Sequence, residues 1–233
     1  MTSHDYQKYA GYYAELGISG TYYLAFRDLD EYLIPFSGKP ALDFGCGAGR
    51  SSRFLKKFGI DVTGVDHNQE MIDQARIQDP QGMYQVIPPG DLSQFADHTF
   101  DLIFSSFVLM EISSLEGIAA IIKEMNRTLK PDGRLITIVS YAPISTCRCV
   151  SFNKDFPENQ NLKSGAQLRL DITDASRTFT LYDYYWTEQD YRQVFSVAGL
   201  SVTNVLKPLG VPEDGIAWQA ETTTPPFTIF ILQ

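Results

Sequence analysis

Short apolar runs alternate with amphipathic stretches from residue 40 to about residue 142. The run at residues 100–109 is almost entirely apolar, as expected for a central parallel strand that is buried on both faces. Four further strands are predicted at residues 39–44, 61–66, 83–87 and 134–140. Between them, apolar side chains recur on one helical face. These helices are predicted at residues 51–58, 69–77 and 115–129. Such alternation predicts βαβ units and a doubly wound parallel sheet of the α/β class.

The pattern changes after Tyr141. Residues 167–172 and 177–184 alternate apolar and polar positions, which predicts an antiparallel β-hairpin inserted after the fifth strand. Thr187 is a candidate N-cap for a helix that ends at Gly199. Two last strands are predicted at residues 200–206 and 227–232.

One domain is therefore expected over residues 1–233. Its four parts are an N-terminal helical cap (1–38), a ligand-binding core (39–142), a lid insertion (143–185) and a C-terminal helix with the last two strands (186–233). Residues 143–165 are predicted to be irregular, and residues 130–133 to form a turn before the fifth strand.

Charge narrows the possible partners. The formal net charge is −9, whereas nucleic-acid binders need a basic face to neutralise phosphates. The densest basic cluster, at residues 50–57, is interpreted as the solvated face of one helix. The polar N-terminus lacks the apolar core of a signal peptide, and no apolar run approaches the length of a spanning helix. We therefore expect a cytoplasmic protein that binds neither nucleic acid nor membrane.

Cysteine usage agrees with a reducing compartment, since the count is odd at 3. Cys147 and Cys149 are interpreted as ordinary thiols, because no second Cys/His pair completes a zinc site. No metal is expected.

A glycine-rich turn after the first strand carries the candidate chemistry. Asp43 precedes Gly45, Gly47 and Gly49, and glycines there let the backbone approach a ligand closely. A dinucleotide would bring an anionic pyrophosphate, which a carboxylate at Asp43 repels, and the spacing is GxGxG rather than GxGxxG. A ligand that carries an ammonium and a sulfonium would instead be attracted. Asp66, at the end of the next strand, can hold ribose hydroxyls of either ligand.

In these motifs the sequence resembles class I S-adenosylmethionine (SAM)-dependent methyltransferases. The matching stretches, in order, are residues 42–49, 65–66, 90–92, 101–107 and 129–135. The resemblance implies a Rossmann-like seven-stranded sheet flanked by helices, with the last strand antiparallel. It also implies that Asp66 binds ribose, that Asp91 accepts from the adenine amino group and that Leu92 donates its backbone N–H.

The same resemblance implies the cofactor site, with SAM as methyl donor and S-adenosylhomocysteine (SAH) as product. N-terminal helices in the family usually cap SAM with a tyrosine, and Tyr13 is one candidate. The predicted cofactor-binding residues are Tyr9, Tyr22, Asp43, Gly45, Cys46, Gly47, Gly49, Asp66, His67, Met71, Gly90, Asp91, Leu92, Ser106 and Phe107.

The C-terminal third is similar to bacterial small-molecule methyltransferases, including N-methyltransferases of the toxoflavin type. Aromatic residues of the insertion suit a flat acceptor. Glu111 and Tyr141 are the candidate catalytic residues, with Glu111 able to take a proton or to hold an acceptor N–H. The predicted acceptor-binding residues are Tyr23, Phe107, Glu111, Tyr141, Tyr184 and Trp186.

The predicted function is methyl transfer from SAM to a nitrogen or oxygen atom of a small aromatic or heteroaromatic molecule, by a monomer or homodimer. Three alternatives stay open. The chain could methylate a protein or tRNA, although Ser105-Ser106-Phe107 stands where base methyltransferases often carry Asn/Asp-Pro-Pro-aromatic. It could bind SAM without catalysis. The third alternative is a dehydrogenase, against which Asp43 argues because its carboxylate would repel the pyrophosphate of a dinucleotide.

Overall fold

The computed structural model describes residues 16–141, 145–173 and 178–233. Seven strands form one mixed sheet: β1 (Pro40–Phe44), β2 (Asp61–Asp66), β3 (Met83–Val86), β4 (Phe100–Ser106), β5 (Leu129–Ser140), β9 (Val202–Leu206) and β10 (Phe227–Leu232). Their order is β3-β2-β1-β4-β5-β10-β9, and β10 runs in the direction opposite to the other six.

Five α-helices are present among the described residues. They are α1 (Asp30–Leu33), α2 (Arg50–Lys56), α3 (Gln69–Gln78), α4 (Leu115–Thr128) and α5 (Glu188–Val197). The predicted N-cap Thr187 is confirmed: its side chain accepts from the Asp190 backbone N–H, and Asp190 reciprocates in a capping box. Within the described ranges, no helix has the length and apolar character needed to span a bilayer.

The chain crosses between β1 and β4 at the centre of the sheet. β2 and β3 lie on one side of β1, whereas β4 and β5 lie on the other. In open α/β sheets a crevice forms at such a reversal, outside the carboxyl ends of the strands. The loops that follow β1, β2 and β4 therefore converge on one site.

A second, three-stranded antiparallel sheet lies in the insertion. We call it the cover sheet: β6 (Phe152–Asn153), β7 (Gln167–Thr173) and β8 (Thr178–Tyr184). β7 and β8 form the predicted hairpin, in which Leu170 pairs with Leu181. Because strand side chains alternate, one face of the hairpin is apolar and joins the main core cluster.

Four expectations about the elements are corrected. Residues 130–133 continue β5 instead of forming a turn, since Leu129 pairs with Phe100 before the register shifts. β4 ends at Ser106 rather than at residue 109, because Phe107 has a φ of 66° that no strand can accommodate. The insertion, predicted irregular at residues 143–165, contains β6.

The fourth correction concerns the N-terminal cap. It was expected to be helical, and its described part, residues 16–38, is so only in the four-residue α1 and in two 3₁₀ segments, Gly20–Ala25 and Ile34–Phe36. Pro35, in the second 3₁₀ segment, lacks an N–H and cannot continue an α-helix.

Candidate active site at the carboxyl ends of the central strands

The turn after β1 is built around three glycines with positive φ. Gly45, Gly47 and Gly49 have φ values of 71°, 51° and 80°, a region that other residues enter only with strain. A Cβ on Gly45 would lie 2.2 Å from Val108 Cγ2, and one on Gly49 would lie 2.9 Å from the Tyr84 hydroxyl. A Cβ on Gly47 would meet nothing within 4 Å. Gly47 therefore presents bare backbone to open space.

Asp66 fixes this turn from the end of β2. One carboxylate oxygen accepts from the Gly47 backbone N–H at 2.9 Å, and the other accepts from the Asn68 N–H at 2.9 Å. Asn68 in turn caps α3 by accepting from the Met71 N–H. The carboxylate is held in place by backbone donors from two loops.

Asp43 lies buried beneath the same turn. One of its oxygens accepts from the Ser51 and Ser52 hydroxyls at 2.7 and 2.5 Å, both at the start of α2. The other, Oδ1, has no hydrogen-bond partner among the described residues. Burial raises the pKa of Asp43 to about 6, although the serine hydrogen bonds act in the opposite direction. A buried carboxyl of this kind favours a cationic ligand and disfavours a pyrophosphate.

A cavity of about 200 Å³ opens above the turn. Its walls come from the loops after β1, β2, β3 and β4, so the carboxyl ends of four parallel strands contribute. The lining residues are Phe44, Gly45, Cys46, Gly47, Ala48, Arg50, Ser51, Val65, Asp66, His67, Asn68, Met71, Ile87, Pro89, Gly90, Ser106, Phe107, Val108, Glu111, Ile112 and Ile121. We call it the turn cavity.

A second cavity, of about 60 Å³, lies under the cover sheet. It is lined by Tyr22, Arg50, Phe107, Met110, Glu111, Ser140, Phe152, Lys154, Leu170, Ile172, Leu181, Asp183 and Phe227. We call it the covered cavity. Arg50, Phe107 and Glu111 line both cavities, so the two adjoin at these residues.

Arg50 stacks on aromatic rings between the cavities. Its guanidinium lies 4.6 Å from the centroid of Tyr22 and 5.4 Å from that of Phe107, a favourable cation–π geometry. Burial raises the pKa of Tyr22 to about 12, although the Arg50 charge acts to lower it. Arg50 was expected on a solvated helix face, which is wrong: as the first residue of α2 it points across the turn rather than away from the protein.

Solved structures share this architecture over nearly the whole chain. The CcbJ methyltransferase from Streptomyces caelestis matches with a TM-score of 0.66 at 15% sequence identity, covering 97% of this chain and 95% of that one. A SAM-dependent methyltransferase from Clostridium acetobutylicum gives 0.65 at 15% identity and covers 98% of each chain. The chain has the class I methyltransferase fold.

Comparison of the amino-acid sequence with known families gives a match in the part of the chain that forms the core of the site. Residues 42–137 match the family model described as a methyltransferase domain. A demethylmenaquinone methyltransferase from Tropheryma whipplei is 35% identical over 102 residues, which is 43% of this chain and 41% of the relative. A ubiquinone biosynthesis O-methyltransferase from Acinetobacter baylyi is 30% identical over 112 residues, 46% of each. The chain thus spans less than half the length of these relatives.

The class I methyltransferase fold brings most of the predicted cofactor residues together. On the wall of the turn cavity lie Gly45, Cys46, Gly47, Asp66, His67, Met71, Gly90, Ser106 and Phe107. Asp43 and Gly49 support the turn from beneath and at the start of α2.

Three further predicted cofactor residues, Tyr22, Asp91 and Leu92, are absent from the lining of the turn cavity. Asp91 is exposed and accepts from the Ser93 backbone N–H at 2.9 Å, while Leu92 is buried in the core. Tyr22 lines the covered cavity. Tyr9 and Tyr13 fall outside the described residues.

Some of the predicted acceptor residues line a cavity, and the others do not. Phe107 and Glu111 line both cavities, whereas Tyr23, Tyr141, Tyr184 and Trp186 are absent from either lining. Trp186 is buried in the core, and its indole N–H donates to the Ile112 carbonyl at 3.0 Å. Tyr141 lies beside the Lys207 ammonium, 5.5 Å from its ring centroid.

Several residues that line the cavities were not predicted from the sequence. Lys154 follows a segment without periodicity, so no pattern indicated which way it faces. Asp183 did have a signal, because it stands two positions after Leu181 on the inward face of an alternating strand. Within the described ranges, no three His, Cys, Asp or Glu side chains are grouped closely enough to hold a metal ion.

Proposed function

We propose that this protein transfers the methyl group of SAM to a nitrogen or oxygen atom of a small, flat acceptor. The observation that carries the proposal is the pair of adjoining cavities. One opens on a glycine turn with an acid beneath it, and the other has part of its wall from a separate sheet. Donor and acceptor would meet at the shared wall of Phe107 and Glu111.

The residues of the turn cavity fit SAM. Gly47 leaves open space where a Cβ would stand, so its backbone can approach a ligand closely. Oδ1 of Asp43 has no described hydrogen-bond partner, and its carboxyl suits a nearby cation. Asp66 would hold the ribose hydroxyls, since its carboxylate already stands on the cavity wall.

Bound SAM would supply an electrophilic methyl group to the lone pair of the acceptor, with the neutral thioether of SAH as the leaving group. An acceptor that carries a proton on the reacting atom would also have to give it up to a group of this chain. The protein's contribution is mostly orientation, because the displacement requires the acceptor atom in line with the breaking bond. Phe107, with its positive φ at the end of β4, would set that line.

Glu111 is our candidate for the proton-accepting group. It lies in the 3₁₀ turn after β4 and lines both cavities. A carboxylate at that position can accept a proton from the acceptor or orient its N–H. Tyr141 was the other candidate, but it lies on neither wall, so we assign the role to Glu111 alone.

The covered cavity supports a small aromatic or heteroaromatic acceptor. Four rings, those of Tyr22, Phe107, Phe152 and Phe227, surround it in edge and stacked contacts. Such walls hold a flat molecule with geometry as well as burial. Two relatives, named as a demethylmenaquinone methyltransferase and a ubiquinone biosynthesis O-methyltransferase, support the same proposal.

The cover sheet counts against the macromolecular alternatives. A folded protein or tRNA would need an open approach to the shared wall, whereas Leu170, Ile172 and Leu181 stand over it. We therefore propose a small-molecule enzyme, monomeric or homodimeric and cytoplasmic, rather than a protein or tRNA methyltransferase or a non-catalytic SAM binder.

The direct experiment is a methyl-transfer assay with labelled SAM. The acceptors should be phenols, aromatic amines and pterin-like heterocycles, with bulk tRNA and a denatured protein mixture as macromolecular controls. We expect label transfer and SAH formation with at least one small aromatic molecule and with neither control. Transfer to tRNA or protein alone would contradict the proposal, and SAM that stays intact with every acceptor would favour a non-catalytic binder.

A further inference from the structure

Lys154 is a buried lysine in the covered cavity. It follows β6, its residue is 2% exposed, and it lines the cavity wall. Its ammonium donates to the Ser140 hydroxyl at 3.1 Å, at the carboxyl end of β5. The ammonium also lies 5.0 Å from the centroid of the Phe152 ring.

The backbone around Lys154 is firmly held. Its N–H donates to the Cys147 carbonyl at 2.7 Å, and its own carbonyl accepts from the Asn159 side-chain amide at 2.7 Å. Asn159 is fully buried and also bonds the backbone of β7 at Arg169. These contacts tie the residue to the cover sheet, so the direction of the side chain into the cavity is set by the fold.

Among the residues that the structure describes, none is a charge partner of the Lys154 ammonium. An ammonium has three donors, and its hydrogen bonds to described residues number one, to Ser140. Among residues 16–141, 145–173 and 178–233, no carboxylate oxygen lies within the 4.0 Å limit of an ion pair with it. Burial of a cation without a counter-charge is costly. A residue kept there in spite of that cost suits an anionic ligand.

The other charged groups of the covered cavity indicate how a ligand would be oriented in it. Arg50 and Glu111 stand where the covered cavity adjoins the turn cavity, and Asp183 stands on the inner face of β8. Lys154 and Asp183 belong to the covered cavity alone. Carboxylates at Glu111 and Asp183 repel an anion and attract N–H or O–H groups. An acceptor would therefore place its anionic group at Lys154 and its donor-bearing, reacting end at Glu111.

We propose that the methyl acceptor is an aromatic acid, whose carboxylate binds the Lys154 ammonium and whose hydroxyl or amino group lies at the shared wall. This inference rests on the function proposed above and narrows its substrate class. The carboxylate orients the acceptor and is not itself methylated. Lys154 is thus a specificity residue that selects acids over neutral molecules of the same shape.

The test compares acids with their amides. The probes are 4-hydroxybenzoate and 2-aminobenzoate, each beside its amide, titrated calorimetrically into protein saturated with SAH. A charge-assisted hydrogen bond predicts that at least one acid binds the wild-type protein about 10- to 100-fold more tightly than its amide. Lys154→Met should remove this preference. Lys163→Met, an exposed lysine of the same insertion that lines neither cavity, should keep it.

Equal or tighter binding of the amides, no binding of either acid, or a preference that survives Lys154→Met would overturn the inference. Binding of SAH alone is measured first, because it tests the proposed function independently of the acid preference. If SAH binds but neither acid is preferred over its amide, the inference about the acceptor fails and the proposed function does not.

Thermal unfolding distinguishes a binding role from a structural one. If Lys154 serves a ligand, Lys154→Met replaces a buried, uncompensated ammonium by an apolar chain of similar length. The melting temperature of the ligand-free variant should then equal or exceed that of the wild-type protein. A fall of several degrees would show that the ammonium holds Ser140 and the cover sheet together, and would contradict the assignment.

Discussion

Gly47→Val is expected to weaken SAH binding by about 100-fold or more while the protein stays folded. The glycine has a φ of 51° and no atom within 4 Å of the place where a Cβ would stand. A valine there would project into the turn cavity and occupy the space that the ligand needs. Overpacking of a close contact costs about 1–3 kcal/mol, and the lost backbone approach adds to it. Calorimetric titration with SAH measures the effect.

Gly215→Val is the matched control for backbone strain. Gly215 has a φ of 68°, also has no atom within 4 Å of a Cβ, and lies outside both cavities. Both variants carry a strained residue, at about 1–2 kcal/mol each. Equal loss of SAH binding in both variants would trace the effect to stability, and normal binding by Gly47→Val would remove the turn from the cofactor site.

Removal of the hairpin formed by β7 and β8 of the cover sheet is expected to lower turnover by about a hundredfold or more, with SAH affinity nearly unchanged. The Ala166 carbonyl accepts from the Tyr185 N–H at 2.8 Å. Residues 167–184 can therefore be replaced by a two-residue Asn-Gly turn that joins these neighbours. The deletion removes Leu170, Leu181 and Asp183 from the covered cavity and leaves the turn cavity intact. An acceptor would lose its orientation and its shield from water.

Turnover of this variant would be measured with the best acceptor from the labelled-SAM panel. Tyr182→Ala is the control, because Tyr182 is on β8 with its side chain 42% exposed on the outward face. It should retain near wild-type turnover. If the deletion variant methylates a small acceptor at the wild-type rate, the hairpin does not cover the acceptor. If the variant has lost SAH binding, the hairpin serves more than the acceptor site.

The sheet was largely predictable because its strands carry simple patterns. The bounds of β2 and β10 agree with the sequence prediction at both ends, as does the place of the glycine turn. β2 begins and ends with an aspartate and contains β-branched residues, and β10 lies between Pro226 and Gln233 and contains β-branched and aromatic residues, all of which strands favour. The predicted hairpin was confirmed for the same reason, since its period of two is unambiguous.

The covered cavity could not be predicted from these patterns. It is formed by residues from eight separate stretches of the chain, and its charged groups have no periodicity that shows where they point. Lys154 lies in a segment held by side-chain bonds such as that from Asn159, which leave no trace in hydropathy. In the sequence Arg50 was indistinguishable from its basic neighbours Arg53 and Lys56, and only the geometry of the glycine turn directs it inward. Sequence patterns thus located the cofactor site better than the acceptor site.

The central claim, that the glycine turn binds SAM rather than a dinucleotide, is tested most directly by calorimetric titration of the unmodified protein with SAH and, separately, with NADH. The buried Asp43 makes the turn unsuitable for a pyrophosphate and suitable for the ammonium of SAH, whereas the carboxylate of Asp66 can hold the ribose of either ligand. We predict saturable one-to-one binding of SAH and no measurable binding of NADH at the same concentration. Tight binding of NADH together with no binding of SAH would contradict the account.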